Sequence, residues 1–226
     1  MKPFFDTVRP MFRRGKMNTA QVAGMEAVVN AGIGMPRSHL ACVLATDFHE
    51  TGQRMQPIRE GFSTTNAGSI RAVTGLYNKG IITRNYALPH ANGLSYYGRG
   101  LVQITHGYNY KKFGIYDQPD QALILPTAMD IMFKGMTEGM FRKGHSLSMI
   151  PIVPTIEDFI ESRDIINGDK RKNGRKIAEY AIVFYNALLL VKEREEVLED
   201  HEEEPHTLWC RLLDILGLGD HSDTGH

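Results

Sequence analysis

Glu50 and Glu60 stand just before a long stretch of chain without acidic side chains. Between Glu60 and Asp117 there is no Asp or Glu, across fifty-six residues that hold six Lys/Arg and many aromatics. Hydrolysis of a glycosidic bond needs a protonated carboxyl at the leaving oxygen and an ionised one to activate water. Glu50 and Glu60 are candidates for that pair, although two glutamates ten residues apart also occur as plain surface charges. The stretch that follows contains Ser95-Tyr96-Tyr97-Gly98-Arg99-Gly100-Leu101-Val102-Gln103-Ile104-Thr105. Aromatic faces stack on sugar rings, Gln, Asn and Arg bind hydroxyl and acetamido groups, and the glycines let backbone approach a ligand. The same run also reads as a tight turn with core tyrosines. Only Cys42 and Cys210 occur, far apart, so no metal-ligand cluster and no disulfide framework is implied.

Such a pair needs rigid elements to aim it. A first helix is predicted over about residues 18–30, with Asn18 and Gln21 in capping-box spacing and Val22, Met25, Val28 and Val29 on one face. Gly32, Gly34 and Pro36 then break the chain. A second helix begins near Ser38, places Leu40, Val43, Leu44 and Phe48 on one side, and stops at Gly52. Glu50 therefore falls at its C-terminal end, where the negative end of the helix dipole raises a carboxyl pKa, as a general acid needs. Asp47 reads as a surface or lobe-bridging charge near that end, and His49 as a structural neighbour of the acid. Residues 53–95 read as loops and short helices. Further helices are predicted over 127–142, 155–163 and 174–195, opened by Thr127, Thr155 and Asn173. The last carries Ile177, Tyr180, Ala181, Phe184, Tyr185, Leu188 and Leu189, a broad face that belongs in a core.

The run Tyr96 to Tyr110 resembles the signature of glycoside hydrolase family 19: Tyr-Tyr-Gly-Arg-Gly, an apolar pair, Gln, then Ser or Thr and an Asn-Tyr run. His49-Glu50-Thr51 resembles the family's His-Glu-Thr, and Ile165-Ile166-Asn167-Gly168 its Ile-Ile-Asn-Gly segment with the Arg-bearing helix that follows. The three motifs occur in the family's order over about residues 38–190. The resemblance implies that Glu50 is the general acid, that Glu60 is the base activating water, and that Thr105 helps hold that water. It implies substrate contacts for Tyr96, Gln103, Asn109 and Asn167, and makes Arg175 a cleft arginine that pairs with the base. The expected fold is mainly α, two lysozyme-like lobes about a central cleft. The expected reaction is a single displacement with inversion, without metal or cofactor, across carboxyls roughly 6.5–9.5 Å apart. Two departures from the plant chitinases, the missing disulfides and the short segment between the glutamates, look like bacteriophage and prophage members that act on peptidoglycan.

Composition bounds the same picture. With 42% hydrophobic and 23% charged residues in 226, a sizeable globular core is expected. The zero net charge hides an asymmetry: from Lys192 onward three Lys/Arg face eleven Asp/Glu, a net of −8, so residues 1–191 carry +8. A catalytic domain over 1–191 and an acidic tail over 192–226 with a short amphipathic Leu208–Leu216 segment are therefore expected. A basic body suits an anionic polymer such as a bacterial wall; charge alone does not separate wall from nucleic acid, and the motifs favour the wall. No stretch reaches the roughly 18 apolar residues of a membrane span, and the N-terminus lacks an apolar core of signal-peptide length. The expectation is a monomeric endolysin that gathers in the host cytoplasm and reaches periplasm and wall through a holin, with peptidoglycan glycan strands as partner and no nucleic acid or stable membrane insertion. A chitinase, a secreted antibacterial muramidase toxin and a non-catalytic wall-binding module are the rivals.

Overall fold

Residues 1–191 are described by the structure, a computed structural model, and they form one compact unit. The acidic run from Glu193 and the Leu208–Leu216 segment lie outside the described residues. In chain order the helices are α1 (Lys2–Val8), α2 (Thr19–Ala31), α3 (Arg37–Glu50), α4 (Asn66–Asn78), α5 (Gly107–Lys112), α6 (Leu125–Thr137), α7 (Ile156–Ser162) and α8 (Arg175–Leu189). Two antiparallel two-residue strands, β1 (Ile58–Arg59) and β2 (Arg99–Gly100), pair Ile58 with Gly100 and Arg59 with Arg99. The described chain is thus mainly helical, as expected.

Everything else is arranged about α3, in which ten of fourteen residues are buried. A helix apolar on nearly all sides belongs in the middle of a protein, sheathed by others. Its sheath is chiefly α8, against which α1 and α7 also pack, with α2 and α6 making smaller contacts to α3. Near the C-terminal end of α3, Phe48 meets Phe12, Tyr180 and Phe184 at ring-centroid distances of 5.1, 4.8 and 5.8 Å. Phe4 of α1 stacks on Phe184 at 6.3 Å. Each such ring contributes roughly 1.5–3 kcal/mol by leaving water, and together they fix where α3 ends.

Helix α2 starts with the anticipated capping box: Asn18 accepts from the Gln21 amide and Gln21 reaches back to the Asn18 amide, both at 2.8 Å. It lies so close to the turn after α3 that a methyl added at Gly24 would fall 1.7 Å from the Met55 carbonyl oxygen. The Thr155 start of α7 is also a capping box, closed by Asp158. Other boundaries differ. Thr127 does not open α6: the helix starts at Leu125 with Pro126 second, and Ile124 stands at the N-cap without a side-chain cap hydrogen bond. Asn173 does not cap α8, because Lys170–Gly174 form a π-helical turn directly before it. The α1 segment and the full thirteen-residue length of α4 were not legible, since α4 buries only Ser69 and Val73 and so has little apolar pattern.

Asp47 is not a surface or bridging charge: it is fully buried in α3, and neither carboxyl oxygen has a hydrogen-bond partner. The Thr51 hydroxyl one turn on donates instead to the Asp47 backbone carbonyl at 2.7 Å. Burial holds the Asp47 pKa well above the ordinary carboxylate range, with Thr51 a lesser opposing influence. A carboxyl that binds its proton more tightly folded than unfolded adds stability below its unfolded pKa and loses it as pH rises toward the folded value. Asp47→Asn keeps the shape and needs no proton. Its melting temperature is expected to exceed the parent's at about pH 8, with the gap closing toward about pH 4. A lower melting temperature than the parent's at the alkaline end would overturn this account.

Candidate active site

Glu50 is the last residue of α3, as the spacing predicted, followed by Thr51 at the cap. Its side chain is 15% exposed, and Oε1 accepts from Arg163 Nη1 at 2.7 Å. Arg163 follows α7 and is itself buried. Its remaining edge grips Asp169, Nε to Oδ1 at 2.6 Å and Nη2 to Oδ2 at 3.2 Å. Asn173 also donates to Asp169 Oδ2, and the Asp169 amide donates to Asn167 Oδ1 at 2.9 Å. Burial raises the Glu50 pKa, Arg163 opposes the rise, and Asp169 reinforces it. Burial, Arg163 and Lys176 push His49 down to about 4, against Asp169, so its imidazole is neutral at neutral pH.

Glu60 has a different setting. It follows β1, and its amide donates to the Gly98 carbonyl at 2.7 Å, continuing the β1–β2 ladder. The Gly98 amide returns a hydrogen bond to Glu60 Oε2 at 2.7 Å, while the Tyr86 hydroxyl donates to Oε1. Both carboxyl oxygens therefore accept from fixed donors, which hold the side chain in one orientation. A Cβ on Gly98 would lie 3.2 Å from Glu60 Oε2 and 2.9 Å from Gln103 Oε1. Glycine at this position is what lets the backbone N–H reach the carboxylate.

The aromatic and polar run after Glu60 mostly builds this scaffold. Tyr96 is 0% exposed, stacked on Tyr116 at 4.7 Å, with its hydroxyl engaged by Asn92 and the Tyr116 carbonyl. The substrate contact implied for Tyr96 is therefore corrected: no face of the ring is open. Arg99 is 1% exposed under the Tyr97 ring and paired with Asp120 at 2.8 Å. Gln103 spends its amide on the Ile58 and Gly100 carbonyls, both at 3.0 Å, leaving Oε1 beside Glu60. Asn109 donates to the Thr105 carbonyl at 2.8 Å, and its buried Oδ1 has no partner. Thr105 is half-buried next to His106, whose ring lies 5.2 Å from that of Tyr86, the donor to Glu60. Glu60, Gln103 and the His106 ring thus share one neighbourhood, while the hydrogen bond that Thr105 makes is through its carbonyl, to Asn109.

Arg175 is the other correction. It is exposed on the first turn of α8 and pairs with Glu179 four residues on at 3.3 Å, not with Glu60. The buried arginine that holds a candidate carboxyl is Arg163, twelve residues earlier, and its carboxyl is Glu50. Asn167 is exposed and shapes the turn that presents Asp169. Arg163 and Asp169 flank Ile-Ile-Asn-Gly in sequence, so the motif marked the right segment; Tyr86, in a stretch read as loops and short helices, carried no signal.

Backbone strain gathers in the same segments. Among the described residues, six non-glycine residues have φ between +51° and +70°, and five of them, Gln53, Met55, Phe62, Gln103 and His106, lie in the connection after Glu50 or in the run after Gly98. Left-handed conformations at such residues cost energy and collect where geometry is over-determined, often at functional sites. The two glutamate-bearing turns are also neighbours: Phe62 packs at Gly52, where an added Cβ would sit 2.8 Å from its ring, and lies under Arg54 at 4.0 Å. A separate cavity of about 450 Å³, lined by Asn66, Ile70, Leu94, Arg99, Asp117 and Asp120 among others, includes neither glutamate. Among the described residues, no group of three or more His, Cys, Asp or Glu is placed to hold a metal ion. No protein-family model, curated protein or solved structure matches this chain.

Arg163 carries a testable burden. Arg163→Met keeps much of the volume and leaves Glu50 and Asp169 without their shared cation. Removing one member of a buried ionic group costs roughly 3–5 kcal/mol. The deficit is expected in full at about pH 7 and reduced near pH 4.5, where the stranded carboxyls take up protons. Urea unfolding at the two pH values measures it; an equal loss at both would mean that the side chain matters only for packing.

Proposed function

We propose that residues 1–191 are a lysozyme-like, family 19-type glycoside hydrolase domain that cleaves β-1,4 bonds between MurNAc and GlcNAc in peptidoglycan, with inversion. One observation carries the reading: two glutamates on neighbouring turns sit in different environments, Glu50 buried with its pKa raised by desolvation, Glu60 aimed by fixed donors at both carboxyl oxygens. A desolvated carboxyl to serve as acid and a second carboxyl aimed by fixed donors to serve as base are what inverting hydrolysis requires. The order and spacing of the three motifs in the sequence support the same assignment.

In this mechanism Glu50 donates its proton to the leaving glycosidic oxygen while Glu60 takes one from the attacking water. Tyr86 and the Gly98 amide keep Glu60 aimed, and Thr105 helps position the water. Two lobes about a cleft would seat the glycan, and the basic +8 body would draw it to an anionic wall. Release through a holin, as in phage lysis, is the proposed route from host cytoplasm to wall.

Turbidity clearing of outer-membrane-permeabilised Gram-negative cells, run beside colloidal chitin, tests activity and substrate together. Lysis without chitin breakdown is expected. Glu50→Gln and Glu60→Gln are each expected to lose roughly 10²–10⁴-fold in rate while melting normally; near-parental lysis by either variant sinks its assignment. NMR of fresh products from a soluble oligosaccharide is expected to show the α anomer first. A β anomer would mean retention and would remove Glu60 from the water-activating role.

A further inference from the structure

The cavity between the start of α4 and the segment before α6 holds neither glutamate, and the proposed reaction does not use it. At about 450 Å³ it falls within the range of pockets that take small ligands. Its deepest side chain is Arg99, which is 1% exposed. Arg99 Nε donates to Asp120 Oδ1 at 2.8 Å, and Nη1 to the Ser95 carbonyl and the Tyr110 hydroxyl, both at 3.0 Å. Nη2 makes, among the described residues, only a long 3.4 Å contact with Asn66 Oδ1. The same Oδ1 accepts from the Tyr97 hydroxyl, and Asn66 Nδ2 has no acceptor among the described residues. A guanidinium edge and an amide N–H thus stand side by side on the cavity lining, a pairing that suits a carbonyl or carboxylate oxygen.

The outer part of the lining differs. Asp117 is exposed and makes no ion pair among the described residues, whereas both oxygens of Asp120 are occupied, by Arg99 and by Arg59 at 2.7 Å. Ile70 lies one turn after Asn66 on the same face of α4, and with Leu94 and the half-exposed Ile124 it supplies aliphatic wall. Donors within, aliphatic walls and a carboxyl at the entrance match a short peptide that has aliphatic bulk, carboxyl oxygens and a free amine. The peptide stem of a Gram-negative wall has all three, through its alanines, its acidic residues and its diamino acid; chitin has no such branch. We propose that this cavity binds the amine-bearing peptide stem of peptidoglycan and leaves the glycan to the glutamates. The choice of the stem as that peptide rests on the reading of the chain as a wall hydrolase. The two sites are separate but near. Arg99 directly follows Gly98, whose amide holds Glu60, and the small core of Val73, Ala87 and Tyr97 packs both Ile70 of the cavity and Tyr86 of the Glu60 site.

Methyl NMR of the Ile- and Leu-labelled protein, titrated with the tripeptide L-Ala-γ-D-Glu-meso-diaminopimelate, tests this. Saturable shifts at Ile70, Leu94 and Ile124 are expected. Acetylating the side-chain amine of the diamino acid is expected to weaken binding about threefold, the scale of an exposed ion pair. Asp117→Asn is expected to cause the same loss, after which acetylation costs nothing more. Ile124→Arg puts a long cation at the entrance and is expected to weaken binding about tenfold or more. Its kcat/KM on a peptide-free oligosaccharide then stays parental while its lysis of walls slows. Saturable binding at these methyls in a protein that cleaves no glycan would uphold the peptide pocket and defeat the hydrolase reading. Glycan cleavage without shifts at these methyls would leave the hydrolase standing and overturn the pocket. Equal affinity for the free and acetylated peptides would also overturn the proposal. If Ile124→Arg does not fold, Asp117→Asn, at an exposed position, decides the matter through its loss of the acetylation effect.

Discussion

A helix buried on nearly every side can present chemistry only at its ends. That constraint governs α3, whose residues from Leu40 to Phe48 are all buried, and whose next two residues are the first to emerge. The aromatic ring cluster about Phe48 locks the position of the last turn, so Glu50 appears at a place fixed by the core and not by a flexible loop. The cost is visible in the polar groups the helix carries inward. Ser38 has a buried hydroxyl without a partner, and Asp47 has two such oxygens. A carboxyl tolerated there must be neutral, and the same low-polarity surroundings act, less severely, on Glu50 three residues later.

The opposite solution serves Glu60. No large burial is used; backbone geometry supplies the electrostatics. Two-residue strands set a register in which the Gly98 amide points at a carboxylate oxygen, and the Tyr86 hydroxyl closes on the other. Positive-φ residues on both sides of this contact show how tightly the local chain is bent to make it. Desolvation thus raises the pKa of one glutamate, and fixed donors set the orientation of the other.

The helical class, the α2 and α7 capping boxes and the placement of Glu50 at a helix end were all legible in the sequence, because each rests on local periodicity or on residues three apart. Partnerships across the chain were not. Arg175 and Arg163 look equally able to reach a carboxyl on paper, and only the turn between Arg163 and Arg175 decides that one is buried and the other exposed. Tyr96 and Arg99 share a motif with residues beside Glu60, yet the whole run from Ser95 to Val102 is buried, so motif membership does not mark which side chains are open to a ligand. Asp47 looked like an end-of-helix charge because apolar counting does not reveal that α3 is covered on every side.

The Glu60–Gly98 contact also divides the chain into parts that tolerate length change and parts that do not. One residue added between Gly98 and Gln103 would slip the register and turn a different group toward the carboxylate. The exposed turn from Lys79 to Arg84 lies beyond the end of α4 and ahead of Tyr86, and nearly all of it faces solvent. Added length there can bulge outward while Tyr86 keeps its hold. It is the natural place to graft a peptide or an affinity tag onto this protein without disturbing the Glu60–Gly98 contact.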